Sequence, residues 1–599
     1  MEGSVDAFRI EARFLCLLVF LSSTILHSAN AFRFEMDESS LESLLSSRLG
    51  SLMDRVSSEG LDLEIDGQQV FSGKDRFLPG KIALGLSYWL ENGIGPEEKA
   101  QRMSKGKALL QTIKDQPNDS WGICFYLMAL HRLKTAGLIE DTVPPDLLNE
   151  LKGKLKWTDL WDANTHQIKG KATNYLGVAF MIARLRYLLG WDPEDFSQPI
   201  LDRIMDHIRD TSGGTGFSDE VAGQGRYDRY SILLVAEIAH RLRETGLTPD
   251  EELLGWLRDA AKLVMANINA DGHGFLFGRS IGAYGDSAFL EILSAAAVFG
   301  LLSEDEKAMA HSFSLRATER FLTFWWDDTT DAVNLWDRGR ATDAYRGKHR
   351  ILGESLSLLH HHLYTNRIWE DLDVLKDGIP GVLDKSLSSI PANTLTPLTG
   401  NGQSRAVFTR RNKGRVFSLW ISSGGNNLHD KTSYYPIPFS PGIVEAPPDQ
   451  SIPQLVPLIR LKDGTELMPL VFAEGIKMEE SEDTAIICYT QPGLDVVGKR
   501  EPTLDDRIGV EVTYRFEDGR IIRKDRFIPK ESVNVESISI LYAQGDLSAR
   551  VFFSGYEEEY EHSDETWLAP DRVLRGVKHA FVKEFLMSKP VEVEWCIEY

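Results

Sequence analysis

The 599-residue chain has little cysteine, no basic excess and, beyond Ala31, no long apolar run. Each shortage excludes something. Of four cysteines, Cys16 lies in the N-terminal apolar segment, which leaves Cys124, Cys488 and Cys596. Three scattered thiols make neither a disulfide framework nor a metal-binding spacing; at most Cys488 and Cys596, both in β-like sequence, could pair. No metal site and no cofactor are expected. The formal net charge of −23 lacks the cationic footprint that nucleic acid requires, so that partner is excluded. An anionic ligand stays open wherever cations gather locally. No later segment offers the roughly 20 apolar residues that span a bilayer. The glycines of "GHGFLFG" (Gly272–Gly278) follow helical sequence rather than a strand, which excludes a dinucleotide fingerprint. No fixed consensus repeats along the chain, which argues against a short-period solenoid.

What is present divides cleanly. "FLCLLVFLSSTILHSANA" (Phe14–Ala31) is an apolar run ending in small residues, as in a secretory signal peptide over 1–31. It implies a secreted or periplasmic protein with no membrane segment once the signal is removed; a retained anchor is the alternative. Asn118 opens a lone "NDS" glycosylation sequon, meaningful only in a eukaryotic secretory route.

From about Leu41 to about Asp377 apolar residues recur at helical spacing, as in "SWGICFYLMALHRLKTAG" and "YSILLVAEIAHRLRETG". Some of these helices have a polar face. Others, such as Ser287–Gly300, are apolar nearly all round and need burial on every side. Buried and amphipathic helices alternate, with long turn-rich loops after alternate helices. Two concentric rings of antiparallel helices, an α/α toroid over 32–385, would produce that pattern. After a linker at 386–403 the period becomes two, and "FEDGRI" places Asp-Gly between alternating strands. Residues 404–599 therefore predict an antiparallel β-sandwich. The fold class is α+β multidomain.

A ring of helices leaves a central depression lined by loops at one end. Four stretches carry chemistry there. "DGHGFLFGRSIGAYGDS" brings His273, Arg279, Tyr284 and Asp286 onto a glycine-rich loop, its glycines read as room for a sharp turn and a ligand. The bland alternative is an Arg279–Asp286 pair that fixes the loop. "GQGRYDRY" supplies Arg226, Tyr227, Arg229 and Tyr230 at a helix start, where arginine can fork onto a carboxylate and tyrosine can stack or move a proton. "NLWDRGRATDAYRGKHR" makes a basic island with Trp336, Arg338, Arg340, Arg346, Lys348, His349 and Arg350, unless these cations only neutralise nearby aspartates. "TNYLG" contributes Asn174 and Tyr175. His360–His362 cannot converge on one metal, because helical neighbours point about 100° apart; core or surface roles are expected. His429, Tyr434 and Tyr435, on a loop of the β half, could close one wall.

The combination of a helical toroid, a β-sandwich, Asn174-Tyr175 and "GRYDRY" resembles the polysaccharide lyases of the heparinase II/III, chondroitin and alginate lyase kind. The resemblance implies β-elimination at a uronic acid in an anionic polysaccharide or oligosaccharide. By it, Asn174 and Arg279 contact the carboxylate, Tyr230 or Tyr284 acts as acid or base, and His349 or His273 carries the second proton; His429 is a further possibility. Tyr175, Arg226, Arg229, Trp336, Arg340 and Arg346 complete the substrate contacts. Two alternatives stay open. A glycoside hydrolase needs two carboxylates facing across the sugar, with Asp228, Asp271, Asp286, Asp327 and Asp328 as candidates. A non-catalytic carbohydrate-binding protein needs none of them.

Overall fold

The computed structural model describes residues 36–91, 95–169, 175–219, 227–339, 346–372, 374, 383, 386–400, 404–422, 435–445, 454–481, 483–499, 501–544, 549–562 and 576–599. Helices and sheets from Glu38 to Tyr599 form one compact unit.

The helical half alternates outer and inner helices. Outer helices are α1 (Glu38–Glu59), α3 (Pro96–Ile113), α5 (Pro145–Lys154), α7 (Gln198–Ser212), α9 (Glu251–Asn267) and α11 (Glu304–Arg320). Inner ones are α2 (Leu78–Glu91), α4 (Ser120–Thr135), α6 (Tyr175–Leu188), α8 (Arg229–Glu244), α10 (Ala283–Val298) and α12 (Ile351–Asp371). Each inner helix packs on the next, and α12 returns to α2, which closes the ring. The sequence explains the split. In α2 every residue but Glu91 is buried, and in α10 every residue but Val298. By contrast α7 buries Ile200, Ile204, Met205, His207 and Ile208 and leaves Asp202, Asp206 and Arg209 outside, the stripe of a surface helix.

The C-terminal half is antiparallel throughout its named pairs, in sheets of four, six and eight strands. The "FEDGRI" hairpin forms as expected: Glu517 pairs with Arg520 across a two-residue turn whose Gly519 sits at φ +71°. The stretch expected to be a linker is partly sheet, because Asn393–Pro397 pairs in register with Ala406–Asn412. This first sheet docks on the ring. Trp420 stacks on Phe277 with centroids 4.8 Å apart, and Arg411 donates to the carbonyls of Ala266 and Ile268 at 3.0 and 2.6 Å. Cys488 and Cys596 cannot pair. They lie on strands 485–491 and 591–598 of one sheet with two strands between them, about 14 Å apart at sheet spacing.

Candidate active site

All six inner helices contribute to one cavity of about 220 Å³ on the ring axis. The first turns of five of them line its mouth, through Lys81 of α2, Trp121 of α4, Tyr175 of α6, Arg229 and Tyr230 of α8 and Tyr284 of α10. The inner helices therefore run parallel, with their positive dipole ends gathered where an anion would enter. Helix α8 follows the wall downward: Arg229, Leu233, Glu237, His240, Arg241 and Glu244 recur at three- and four-residue intervals on one face.

Asp228 caps α8 in a capping box with Ser231, and its carboxylate also lies 3.6 Å from Arg279 Nε. The pair offered as the bland alternative, Arg279 with Asp286, is not among the ion pairs of the described residues. Asp286 instead accepts from Gly274 N at 2.8 Å and Trp325 Nε1 at 3.1 Å, with Arg320 Nε 3.6 Å away. Nor do the loop glycines make space for a ligand. A Cβ on Gly274 would lie 2.0 Å from the Gly285 carbonyl oxygen, and one on Gly272 2.8 Å from Ala317 N. They allow backbones to touch. What the loop delivers to the cavity is Arg279 and Tyr284, while Ser280, at φ +51°, accepts a 3.0 Å hydrogen bond from the Tyr230 hydroxyl. The guanidinium of Arg229 lies 4.1 Å from the Tyr230 ring centre, and that of Arg279 4.9 Å.

Below the mouth stands a group the sequence did not advertise. Glu354, fully buried on α12, accepts from Lys81 Nζ at 3.3 Å, Arg346 Nη1 at 3.1 Å and the Tyr284 hydroxyl. Burial alone would raise its carboxyl; Lys81, Arg346, the Tyr284 hydroxyl and Arg350 together outweigh burial and hold it at about 2. Tyr284 moves the other way: burial first, then the Glu354 charge, pushes its hydroxyl well above the usual range. Tyr284 is thus held as a proton donor.

Deeper still, His361 Nδ1 meets Glu291 Oε1 at 2.7 Å, and its ring stands edge-on to Tyr284 with centroids 6.3 Å apart. His240 Nε2 lies 2.9 Å from the Glu291 carbonyl oxygen, and burial lowers its pKa to about 4. Glu237, 3.5 Å from Arg241, is raised by burial more than Arg241 lowers it. Burial raises Glu291, but its contact with His361 and the charge of Arg229 outweigh burial and lower it.

Of the residues singled out in the sequence, Tyr175, Arg229, Tyr230, Arg279, Tyr284 and Arg346 share the wall of this cavity. Asn174, Arg226, Arg340, His429 and Tyr434 fall outside the described residues. Three others do not line the wall. His273 is buried, its backbone bonded to Asn269; His349 lies on the short turn Lys348–Arg350; Trp336 Nε1 donates to the Arg346 carbonyl at 2.8 Å. Tyr227 is buried and donates to the Thr211 carbonyl at 2.8 Å, and Tyr435 is buried too. Much of the basic island is neutralised: Arg338 sits 3.7 Å from Asp327, and Lys348 2.5 Å from Asp66. The aspartate candidates for hydrolysis do not line the cavity either, and Asp328 and Asp331 pair with Arg48 at the surface. His360 and His361, expected as core or surface residues, line the cavity, while His362 packs on Phe321. Lys81, Glu237, Glu291 and Glu354 were missed. For Lys81 and Glu291 the signal was a charge set inside the apolar run of a buried helix, which such a helix carries only when the charge is used; Glu237 and Glu354 stand on helices with other polar residues and had no such signal.

The fold and cavity define an α/α-toroid protein with a β-sheet half and a cationic, tyrosine-lined axial site. No protein-family model matches the sequence, and no curated protein does. Among solved structures it is similar to heparinase III, at 9% identity and a TM-score of 0.31 over 95% of this chain and 92% of that one. It is similar also to chondroitinase AC lyase, solved in enzyme–oligosaccharide complexes, at 12% identity and a TM-score of 0.39 over 93% and 83%. A 4-alpha-glucanotransferase from Thermococcus litoralis matches 61% of this chain and 57% of its own at 12% identity and a TM-score of 0.23. Likeness this low says nothing of the reaction, which has to be argued from the site.

Proposed function

We propose that the cavity binds a carboxylated sugar and cleaves its glycosidic bond by β-elimination, as a polysaccharide lyase does. The observation that carries this reading is the concentration of Lys81, Arg229, Arg241, Arg279 and Arg346 around Tyr230 and Tyr284, in a protein of net charge −23. Arginines at the mouth grip the carboxylate and disperse its charge, so that the neighbouring C–H can lose its proton. His361, its Nδ1 turned to Glu291, offers its other ring nitrogen to take that proton. Electrons of the C–H bond form the C=C bond as the C–O bond breaks, and Tyr284 protonates the departing oxygen. Tyr230 stands by as the alternative proton carrier. Export under the Phe14–Ala31 segment is part of the same proposal.

One observation favours a second reading. Glu237 and Glu291 share the cavity with their carboxyls pushed in opposite directions, up and down, as an acid and a base of a glycoside hydrolase would be. Ultraviolet absorbance during incubation with uronate-containing polysaccharides separates the two. Elimination creates a conjugated double bond and rising absorbance, which His361→Ala and Tyr284→Phe should abolish. New reducing ends without absorbance would move the chemistry to Glu237 and Glu291.

A further inference from the structure

The ring holds a second cavity, of about 310 Å³, at the opposite end of its inner helices. Tyr88 and Glu91 of α2, Arg132 and Thr135 of α4, Leu185 of α6 and Glu244 of α8 line it, all from the last turns of their helices. Parallel inner helices thus gather their negative, carbonyl ends here, as they gather positive ends at the mouth, so the two faces of the ring favour opposite charges. The side chains agree in sign. Glu91 is balanced, accepting from Arg132 Nη2 and from Arg367 Nη1 at 3.0 Å. Glu244 is not. It makes no ion pair among the described residues, and burial raises its carboxyl more than Arg132, Arg241 and Arg243 lower it. His131 adds no charge, because burial and then Lys134, Arg132 and Arg184 lower its pKa. Tyr88 is only 1% exposed, yet its hydroxyl has no hydrogen bond among the described residues. Arg132 covers the Tyr88 ring, its guanidinium 3.8 Å from the centre. A buried hydroxyl left unpaired beside a cavity calls for a partner that enters it. Met128, Met181, Leu185 and Ala136 supply an apolar wall. No three His, Cys, Asp or Glu side chains among the described residues are placed to hold a metal ion, so the cation that fits here is organic.

We infer that this far cavity binds a small primary ammonium carried on a short apolar chain. The ammonium donates to the Glu244 carboxylate and the Tyr88 hydroxyl, and the chain lies along the methionines. The site does not depend on what the mouth binds. Methyl resonances of the full chain, labelled at methionine, test it, because Met181 lines the far cavity alone and Met128 lines both cavities. Met181→Leu and Met128→Leu assign the two signals. Titration with n-butylammonium should shift both methyls saturably; n-butanol should bind about tenfold more weakly, and butyrate should shift neither. Glu244→Gln should weaken butylammonium by about tenfold and Tyr88→Phe by about threefold, with the unliganded spectrum of each variant showing that it folds. The site is overturned by the absence of a saturable shift at Met181, by a shift at Met128 alone, or by equal affinity for butylammonium and butanol. Binding to folded Glu244→Gln as tight as to the native chain overturns it too.

Discussion

Two buried ionic clusters, one in each half of the molecule, use the same chemistry to different ends. In the sheets, Arg523 and Asp525 are fully buried. Arg523 gives Nε and Nη2 to Asp525 at 2.8–3.1 Å and Nη1 to the Tyr514 hydroxyl at 2.8 Å and the Pro436 carbonyl at 3.3 Å. Every donor nitrogen is used inside the protein, and neither of the two cavities described above is lined by Arg523 or Asp525. In the ring, Glu354 is as deeply buried, but its partners Lys81, Arg346 and Tyr284 all line the axial cavity. A buried ion cluster marks a site only where it faces space. The sheet cluster fixes packing; the ring cluster presents cations and a held proton to whatever enters.

The largest effect that would test this contrast is on stability. Arg523→Met leaves Asp525 buried without its counter-charge, and the urea midpoint should fall by the equivalent of about 3–5 kcal/mol. Uronate affinity of the folded fraction should not change; if it does, the two halves are not separate in function. Glu354→Gln keeps an acceptor for Tyr284 but strips the charge that holds Lys81 and Arg346, with an expected loss of about 2 kcal/mol. Here turnover should collapse too. A Glu354→Gln variant with normal kcat would make that cluster as purely structural as the one in the sheets.

Acid should pull the halves apart. Burial keeps His240 neutral, with its pKa lowered to about 4 from 6.5, so the unfolded chain binds the proton first and the ring loses stability as pH falls below 6.5. By about pH 5 one such histidine costs up to about 2 kcal/mol. The Glu354 contribution is complete above 4.5 and fades only as pH falls toward about 2. In the sheets, burial raises Asp495 to about 7; its folded form binds the proton first, so that group gains stability as pH falls through 7. Amide exchange at about pH 7.5 and about pH 5 should show protection falling in α8 around His240 and holding in the strands around Asp495. A uniform change would contradict the assignment of these groups. The smallest effect on stability should come from Arg279→Ala, whose side chain is 25% exposed. Asp228 loses a cation 3.6 Å away but keeps its hydrogen bond from Tyr230 N, so the melting temperature should fall less than in the two variants above, while uronate affinity falls by about tenfold or more, as for a lost charged hydrogen bond.

How legible was this in the sequence? The change of hydrophobic period near residue 390 marks the passage from ring to sheets, and the apolar run of α10 marks an inner helix, because burial on all sides leaves no other pattern. Arg279, Tyr284, Arg229 and Tyr230 were visible as polar groups on glycine-rich stretches beside helix starts. Glu354 and Lys81 were not, since they are 273 positions apart and meet only because the last inner helix closes against the first. Of the reading of the loop glycines, the sharp turn holds, with positive φ at Gly272, Gly278 and Gly282, while the room for a ligand does not: Gly274 is required by the backbone of Gly285, a contact that local pattern does not specify.

The central claim is that the mouth of the ring is a carboxylate site. Calorimetry with a uronate oligosaccharide and with the same chain after reduction of its carboxyl groups to alcohols tests it most directly. The native chain should bind at least tenfold more tightly, with the advantage shrinking as salt is added. Equal binding of the two chains at low salt would contradict it.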